Sequence, residues 1–264
     1  MMPALHQRPS PNHEPRANGR RPDMLILHYT GMDDAMRALD WLCTPQSKVS
    51  CHYLIDEDGR ITQMVAESER AWHAGVSYWR GETDINSCSI GVEIHNPGYG
   101  HGYSDFTEPQ MRAVIALARD IVERHGILRQ RVLGHSDVAP ARKSDPGHKF
   151  DWARLARHGV GLWVPPAPLE PGAQLSLGMA GPEVLTFQRQ LAEFGYGLDP
   201  SRVFDRATEQ AVTAFQRHWR PALIDGCADP STRQTLVRLM TARQEQEPYS
   251  MPGHSIRFRP KDRP

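Results

Sequence analysis

Hydrophobic positions change their period several times along the chain, and the changes divide it. Residues 1–22 are polar and proline-bearing, and from Met24 onward the chain becomes periodic. Met24-Leu25-Ile26-Leu27 is a continuous apolar run ending in His28, the pattern of a strand buried on both faces. Asp33 and Asp34 then offer a helix start, with Met36, Leu39 and Cys43 recurring at helical spacing. Residues 52–55 and 61–65 flank Asp58-Gly59 and predict two strands joined by a tight turn. Residues 89–95 alternate, so Ile90, Val92 and Ile94 face one way and Gly91, Glu93 and His95 the other. Thr107-Glu-Pro-Gln110 has the capping-box pattern. It opens a stripe of Met111, Val114, Ile115, Ala118, Ile121 and Val122 that stops at Gly126. Arg131-Val132-Leu133 predicts a short strand directly before His135. Strands alternating with helices make this block α/β, with a mixed central sheet flanked by helices.

Pro165, Pro166, Pro168 and Pro171 favour a stiff, helix-free spacer. Beyond it lies a second periodic block with a faint internal repeat, Phe187-Gln188-Arg189-Gln190-Leu191 and Phe215-Gln216-Arg217-His218-Trp219. Val184, Phe187 and Leu191 form one helical face, and Ala211, Ala214, Phe215 and His218 another. The end of the chain is polar and proline-broken. These shifts divide the protein into an N-terminal extension (1–22), an α/β domain (23–164), a proline-rich linker (165–174), a helical domain (175–242) and a flexible tail (243–264).

Composition narrows the class. At about 150 residues per domain, 264 residues correspond to roughly 1.8 domains. With 39% hydrophobic and 23% charged residues and a mean hydropathy of −0.56, the chain reads as soluble and globular. Lys+Arg 31 against Asp+Glu 31 leaves no global basic field for nucleic acid or an anionic membrane surface. No apolar stretch approaches the length of a membrane span, and the first residues lack the apolar core of a secretory signal, so a cytoplasmic location is expected. Cys43, Cys51, Cys88 and Cys227 form no CxxC and are expected to be buried free thiols.

The candidate chemistry sits at strand ends. His28 and His135 each follow an apolar strand, and ligand sites in α/β sheets gather beyond the carboxyl ends of strands. The two form a candidate metal pair. The segment after His135 is a loop rich in turn residues and carries Asp137, Lys143 and Asp145, so it can fold a carboxylate beside His135. Two histidines and a carboxylate leave a fourth tetrahedral position open, as in catalytic rather than structural zinc. Zinc held this way lowers the pKa of a water to about 7. Spacing alone leaves Asp137 and Asp145 equal.

Three motifs add a resemblance. LILHYTGM around His28, SIGVEIHNPG around Glu93 and VLGHSDVAPARKSDPG from Val132 to Gly147 together resemble the zinc-dependent N-acetylmuramoyl-L-alanine amidases of the amidase-2 class. The match covers about residues 20–165, with the motifs in the family's order. It implies the fold shared by peptidoglycan recognition proteins and phage lysozyme-type amidases. By the same resemblance one zinc per chain is held by His28, His135 and Asp145, Glu93 is the catalytic acid/base, and Lys143 is the cation that stabilises the developing oxyanion. The implied reaction hydrolyses the amide between N-acetylmuramic acid, or its anhydro form, and L-alanine in peptidoglycan or muropeptides.

Segments holding Tyr29, His52, Trp72, His73, Asn96 and Arg142 resemble the substrate groove. Arg142 is the strongest candidate there, because a guanidinium grips a carboxylate bidentately. His148 stands where the resemblance leads one to expect a proline. In the second block, Phe204-Asp205, Thr208, Asp225-Gly226 and Thr232 resemble a small three-helix peptidoglycan-binding domain, although Pro200-Ser-Arg-Val203 replaces the glycine before its Phe-Asp pair. A wall-binding module sets a periplasmic or wall-associated location against the cytoplasmic one. Peptidoglycan or a muropeptide is therefore the expected partner, with no nucleic acid, no membrane span and a monomeric chain. The rival reading is a non-catalytic peptidoglycan recognition protein; such relatives lose metal ligands, whereas all five site residues stand here.

Overall fold

The computed structural model describes residues 4–246. Its strands are β1 (Leu5–Gln7), β2 (His13–Pro15), β3 (Met24–Tyr29), β4 (Tyr53–Ile55), β5 (Ile61–Gln63), β6 (Glu69–Ala71), β7 (Ser89–Ile94) and β8 (Val132–Gly134). Its helices are α1 (Ala35–Leu42), α2 (Ile85–Cys88), α3 (Glu108–His125), α4 (His135–Val138), α5 (Trp152–Arg157), α6 (Pro182–Phe194), α7 (Arg206–Trp219) and α8 (Pro230–Gln246).

Six strands form one mixed sheet in the order β1-β5-β4-β7-β3-β8, and β2 pairs with β6 in a separate ribbon. β3 runs parallel to both β7 and β8, while β4 and β5 form the antiparallel hairpin expected around Asp58-Gly59. The helices with clear terminal signals form as expected. The Asp34 side chain accepts from the Arg37 N–H at 2.7 Å to start α1. Thr107 and Gln110 complete the capping box of α3, and Gly126 closes that helix with φ 64°.

The sheet is covered on both faces, which is why the β3 run is continuously apolar. Leu25, Leu27, Ile90, Val92 and Ile94 pack with the α3 stripe of Met111, Val114, Leu117, Ala118 and Ile121. On the other face, Met24, Ile26, Leu133 and Val138 share one apolar cluster with Phe187, Leu191, Phe215 and Trp219 of α6 and α7. The helical block thus closes the core of the α/β block. The proline-rich segment lies along α8: the Ala167 N–H donates to Thr235 Oγ1 at 2.9 Å, and Ser231 Oγ donates to the Ala167 carbonyl at 2.6 Å.

Three features differ from the sequence reading. Residues 1–22, expected as an extension, supply β1 to the main sheet and β2 to the ribbon. Every residue of both strands is exposed, so neither has a buried face and they leave no alternating apolar pattern to read. α8 runs on to Gln246, past the start expected for the tail, and the rest of that tail, residues 247–264, lies outside the described residues. All four cysteines are free, but only Cys51 and Cys88 are buried; Cys43 and Cys227 are partly exposed. Among the described residues, no helix is long and apolar enough to cross a membrane.

Candidate metal and catalytic site

Parallel pairing of β8, β3 and β7 carries three of the singled-out side chains to one end of the sheet. His28 on β3 is in register with Glu93 on β7, and Leu27 with Gly134, the residue before His135. The loop after α4 then folds back. The Ser136 N–H donates to the Asp145 carbonyl at 2.9 Å. A Cβ on Gly134 would stand 2.7 Å from the ring of Pro146, so only glycine lets that return pass so close to the strand end. The result is a cavity of about 420 Å³ lined by His28, Glu93, His135, Lys143 and Asp145, with Trp41 of α1 also in its wall.

His28 Nδ1, His135 Nδ1 and Asp145 Oδ2 stand 3.0 Å, 3.0 Å and 3.1 Å apart, an almost equilateral triangle of buried atoms. The His135 Nε2–H donates to the Ala74 carbonyl at 3.0 Å, which leaves its Nδ1 as a bare lone pair. A carboxylate oxygen and that lone pair thus point at one spot. A cation satisfies such a set, and these three side chains could hold a metal ion. Around a tetrahedral ion with bonds of about 2.0–2.1 Å, ligand atoms stand about 3.3–3.4 Å apart, so relaxation of a few tenths of an ångström admits one.

Electrostatics agrees with the donor set. Burial would raise the Asp145 carboxyl, but His135 and His28 outweigh it and hold the group well below the usual range. Burial, reinforced by His135, lowers His28 to about 4, which keeps it neutral at pH 7. Glu93 moves the opposite way: burial, then the neighbouring Asp145 carboxylate, push it well above the usual carboxylate range, and Lys143 opposes them. Its Oε2 is enclosed and has no hydrogen-bond partner. A carboxyl with a raised pKa and an unpartnered oxygen beside a metal-competent triangle is equipped to take up and return a proton.

The other residues singled out in the sequence are divided. Tyr29, Trp72, His73 and Arg142 line the cavity. Tyr29 is bonded to Ser144 Oγ at 2.9 Å, and the enclosed Trp72 Nε1 has no partner. Arg142 donates from Nε to the Val76 carbonyl at 2.8 Å and from Nη2 to the Ala74 carbonyl, so much of its fork already braces backbone. Asn96 is not among the lining residues. Its amide donates to the Ser104 carbonyl at 3.0 Å, and its oxygen accepts from the Gly98 N–H, which fastens the following loop. His52 is fully buried, and its Nδ1 accepts from the Gly91 N–H at 3.0 Å. Asp137 faces away from the triangle: Oδ2 accepts from the Gly134 N–H at 2.7 Å and lies 2.6 Å from His218 Nδ1. Sequence reasoning missed Met32, Trp41 and Ser144 in the cavity wall. The α1 periodicity assigns Met36, Leu39 and Cys43 a face but does not say which neighbouring residues overhang a site.

Comparison with known proteins identifies the family of the chain. The family profile described as N-acetylmuramoyl-L-alanine amidase matches residues 18–148, and that of a putative peptidoglycan binding domain matches residues 180–236. The N-acetylmuramoyl-L-alanine amidase AmiD of Escherichia coli (strain K12) is 38% identical over 236 residues, 82% of either chain. The structure of E. coli AmiD with the substrate anhydro-N-acetylmuramic acid-L-Ala-D-gamma-Glu-L-Lys superposes with a TM-score of 0.72 at 34% identity, covering 91% of this chain and 94% of that one. AmpDh3 of Pseudomonas aeruginosa gives a TM-score of 0.69 at 32% identity over 85% of this chain and 93% of its own. With this similarity running through both the α/β and the helical blocks, the chain belongs to the N-acetylmuramoyl-L-alanine amidase family.

Proposed function

We propose that this amidase hydrolyses the amide between N-acetylmuramic acid, including its anhydro form, and the L-alanine of the stem peptide, with one zinc ion held by His28, His135 and Asp145. The observation that carries the reading is the unpartnered Glu93 oxygen in the same cavity as the three converging donor atoms. The relative whose structure was solved with an anhydro-muramyl peptide supports the substrate class. When bound, zinc supplies Lewis acidity and lowers the pKa of a water toward neutrality.

The chain's own groups do the rest. Glu93 accepts the proton of the attacking water and returns it to the leaving amine of alanine, and a carboxylate raised above its ordinary pKa is the stronger base for the first transfer. Lys143 lines the same cavity and brings a positive charge to the place where the amide oxygen becomes anionic. Tyr29, Trp72 and Arg142 form walls against which the sugar and stem peptide lie.

Digestion of soluble anhydro-muropeptides and of intact sacculi, with mass analysis of the products, tests the reaction and separates the two substrate forms. Release of free stem peptide beginning with L-alanine is expected. Glu93→Gln is expected to keep stoichiometric zinc while turnover falls on the order of 10²–10⁴-fold; near-normal turnover removes Glu93 from the chemistry.

A further inference from the structure

Neither ligand histidine is free at its second nitrogen, and both second partners come from one dipeptide, His73-Ala74. His135 Nε2–H donates to the Ala74 carbonyl at 3.0 Å. His28 Nε2 lies 3.1 Å from His73 Nδ1. Two imidazole nitrogens facing each other leave the proton's position open until the far side of His73 is followed. There, His73 Nε2 lies 3.2 Å from Ser89 Oγ, and Ser89 Oγ lies 2.6 Å from the Ile85 carbonyl.

The chain of bonds then has one direction. A carbonyl only accepts, so the single hydroxyl proton of Ser89 is committed to Ile85. The Ser89 oxygen must therefore accept from His73, which places the proton of neutral His73 on Nε2 and a lone pair on Nδ1. His73 Nδ1 in turn must accept from His28, which places the His28 proton on Nε2 and its lone pair on Nδ1, toward His135 and Asp145.

Two further features fix this dipeptide. The backbone N–H groups of His73 and Ala74 both donate to Asn86 Oδ1, at 3.1 and 2.8 Å, from α2, the helix that also presents the Ile85 carbonyl. A Cβ on Gly91 of β7 would lie 2.6–2.7 Å from the His73 ring, so the strand beside it is cleared of a side chain where the imidazole lies.

We propose that His73 is a positioning residue, which together with the Ala74 carbonyl sets the tautomer of both metal-binding histidines, with Ser89 as the origin of the order at His28. The inference rests on the proposed reading of His28 as a zinc ligand. It assigns His73 to the metal's outer layer rather than to substrate contact. Outer-layer partners of ligand histidines typically carry about 10–100-fold in metal affinity.

The test is zinc affinity by chelator competition on the full chain, together with ¹⁵N-histidine spectra of the zinc-loaded protein. In the unsubstituted protein, the spectra are expected to show His28 and His73 each protonated at Nε2. A proton on Nδ1 of either overturns the proposal without any substitution being made. His73→Leu is expected to weaken zinc about 10–100-fold. His73→Asn should recover most of that, because its side-chain oxygen takes the place of the accepting Nδ1. Ser89→Ala, which touches neither ligand, should weaken zinc several-fold by releasing the His73 tautomer. A His73→Asn variant as weak as His73→Leu overturns the proposal, since ring bulk would then be what matters, and so does wild-type affinity in both His73→Leu and Ser89→Ala. His28→Ala with unchanged zinc affinity overturns the underlying ligand reading instead, which separates the two failures.

Discussion

Two buried aspartates stand on one short stretch of chain, Asp137 in α4 and Asp145 in the loop after it, each beside a buried histidine, and they do opposite things. Asp137 is surrounded by donors that the protein itself supplies: the Gly134 N–H at 2.7 Å, His218 at 2.6 Å and the Tyr196 hydroxyl at 3.4 Å. His218 is stacked between Trp152 and Trp219, with centroids 3.7 Å away on either side. Asp145 meets the Nδ1 atoms of His28 and His135 around a cavity. The same pair of residue types therefore makes a structural joint where both carboxylate oxygens meet donors, and a cation site where lone pairs meet one another.

Removing each aspartate's role should break the comparison in different currencies. The largest effect is expected at the triangle: Asp145→Ala should lose tight zinc binding and lower turnover on the order of 10³-fold or more, since the nucleophile depends on the metal. Zinc content and product release measured on one preparation check this, and retained zinc with retained turnover erases the distinction between the two aspartates.

At the joint the damage should appear as stability. His218→Ala takes the hydrogen-bond partner from the buried Asp137 carboxylate, which costs about 1–3 kcal/mol, and the gap opened between two tryptophans adds to it. Urea denaturation is the measurement, with one zinc per chain still bound in dilute buffer. A variant as stable as the parent, but without zinc, would make the joint part of the metal site.

Acid gives a smaller, graded effect. His52 is fully buried, and burial, followed by Arg16, lowers it to about 3. Its ordinary value is about 6.5. Between these values the unfolded chain binds the proton and the folded chain does not, so the stability is fully present above about pH 6.5 and is lost as pH falls toward 3. Burial also lowers His218, against the pull of Asp137, and adds in the same direction. Zinc-saturated protein should lose about 2 kcal/mol between pH 7 and 5 from His52 alone. A flat profile would show that these histidines are not held neutral. The smallest effect is expected for Tyr196→Phe, which removes only the long bond to Asp137 and should cost about 1 kcal/mol or less, read as a shift in the urea midpoint.

Much of the site was legible in the chain because its signals are local. His28 ends an apolar run, and residues 89–94 alternate so that Glu93 faces away from Ile90, Val92 and Ile94. These positions follow from strand period and register, so each histidine and Glu93 could be placed at a strand end before any contact was known. The partners of His73 were not legible, because Ser89, Asn86 and His28 reach it from three separate elements. β1 and β2 left no pattern because every residue of both is exposed and neither has a buried face.

Elements with local causes follow from the chain alone: the Asp34 cap, the Thr107–Gln110 box, the Gly126 stop, the faces of β7 and the two helical stripes. Spacing did not separate Asp137 from Asp145, and motif resemblance alone favoured the second. The tertiary structure supplies the physical reason, because the group that occupies Asp137 is His218, 81 positions away. The same holds for the helical block, which the prolines of 165–174 present as a separate module and which the fold packs against Met24, Ile26 and Leu133. Caps and periods depend on neighbours within a turn or a strand. Which lone pair meets a donor, and which apolar face meets another, depends on surfaces that come together only when the whole chain closes.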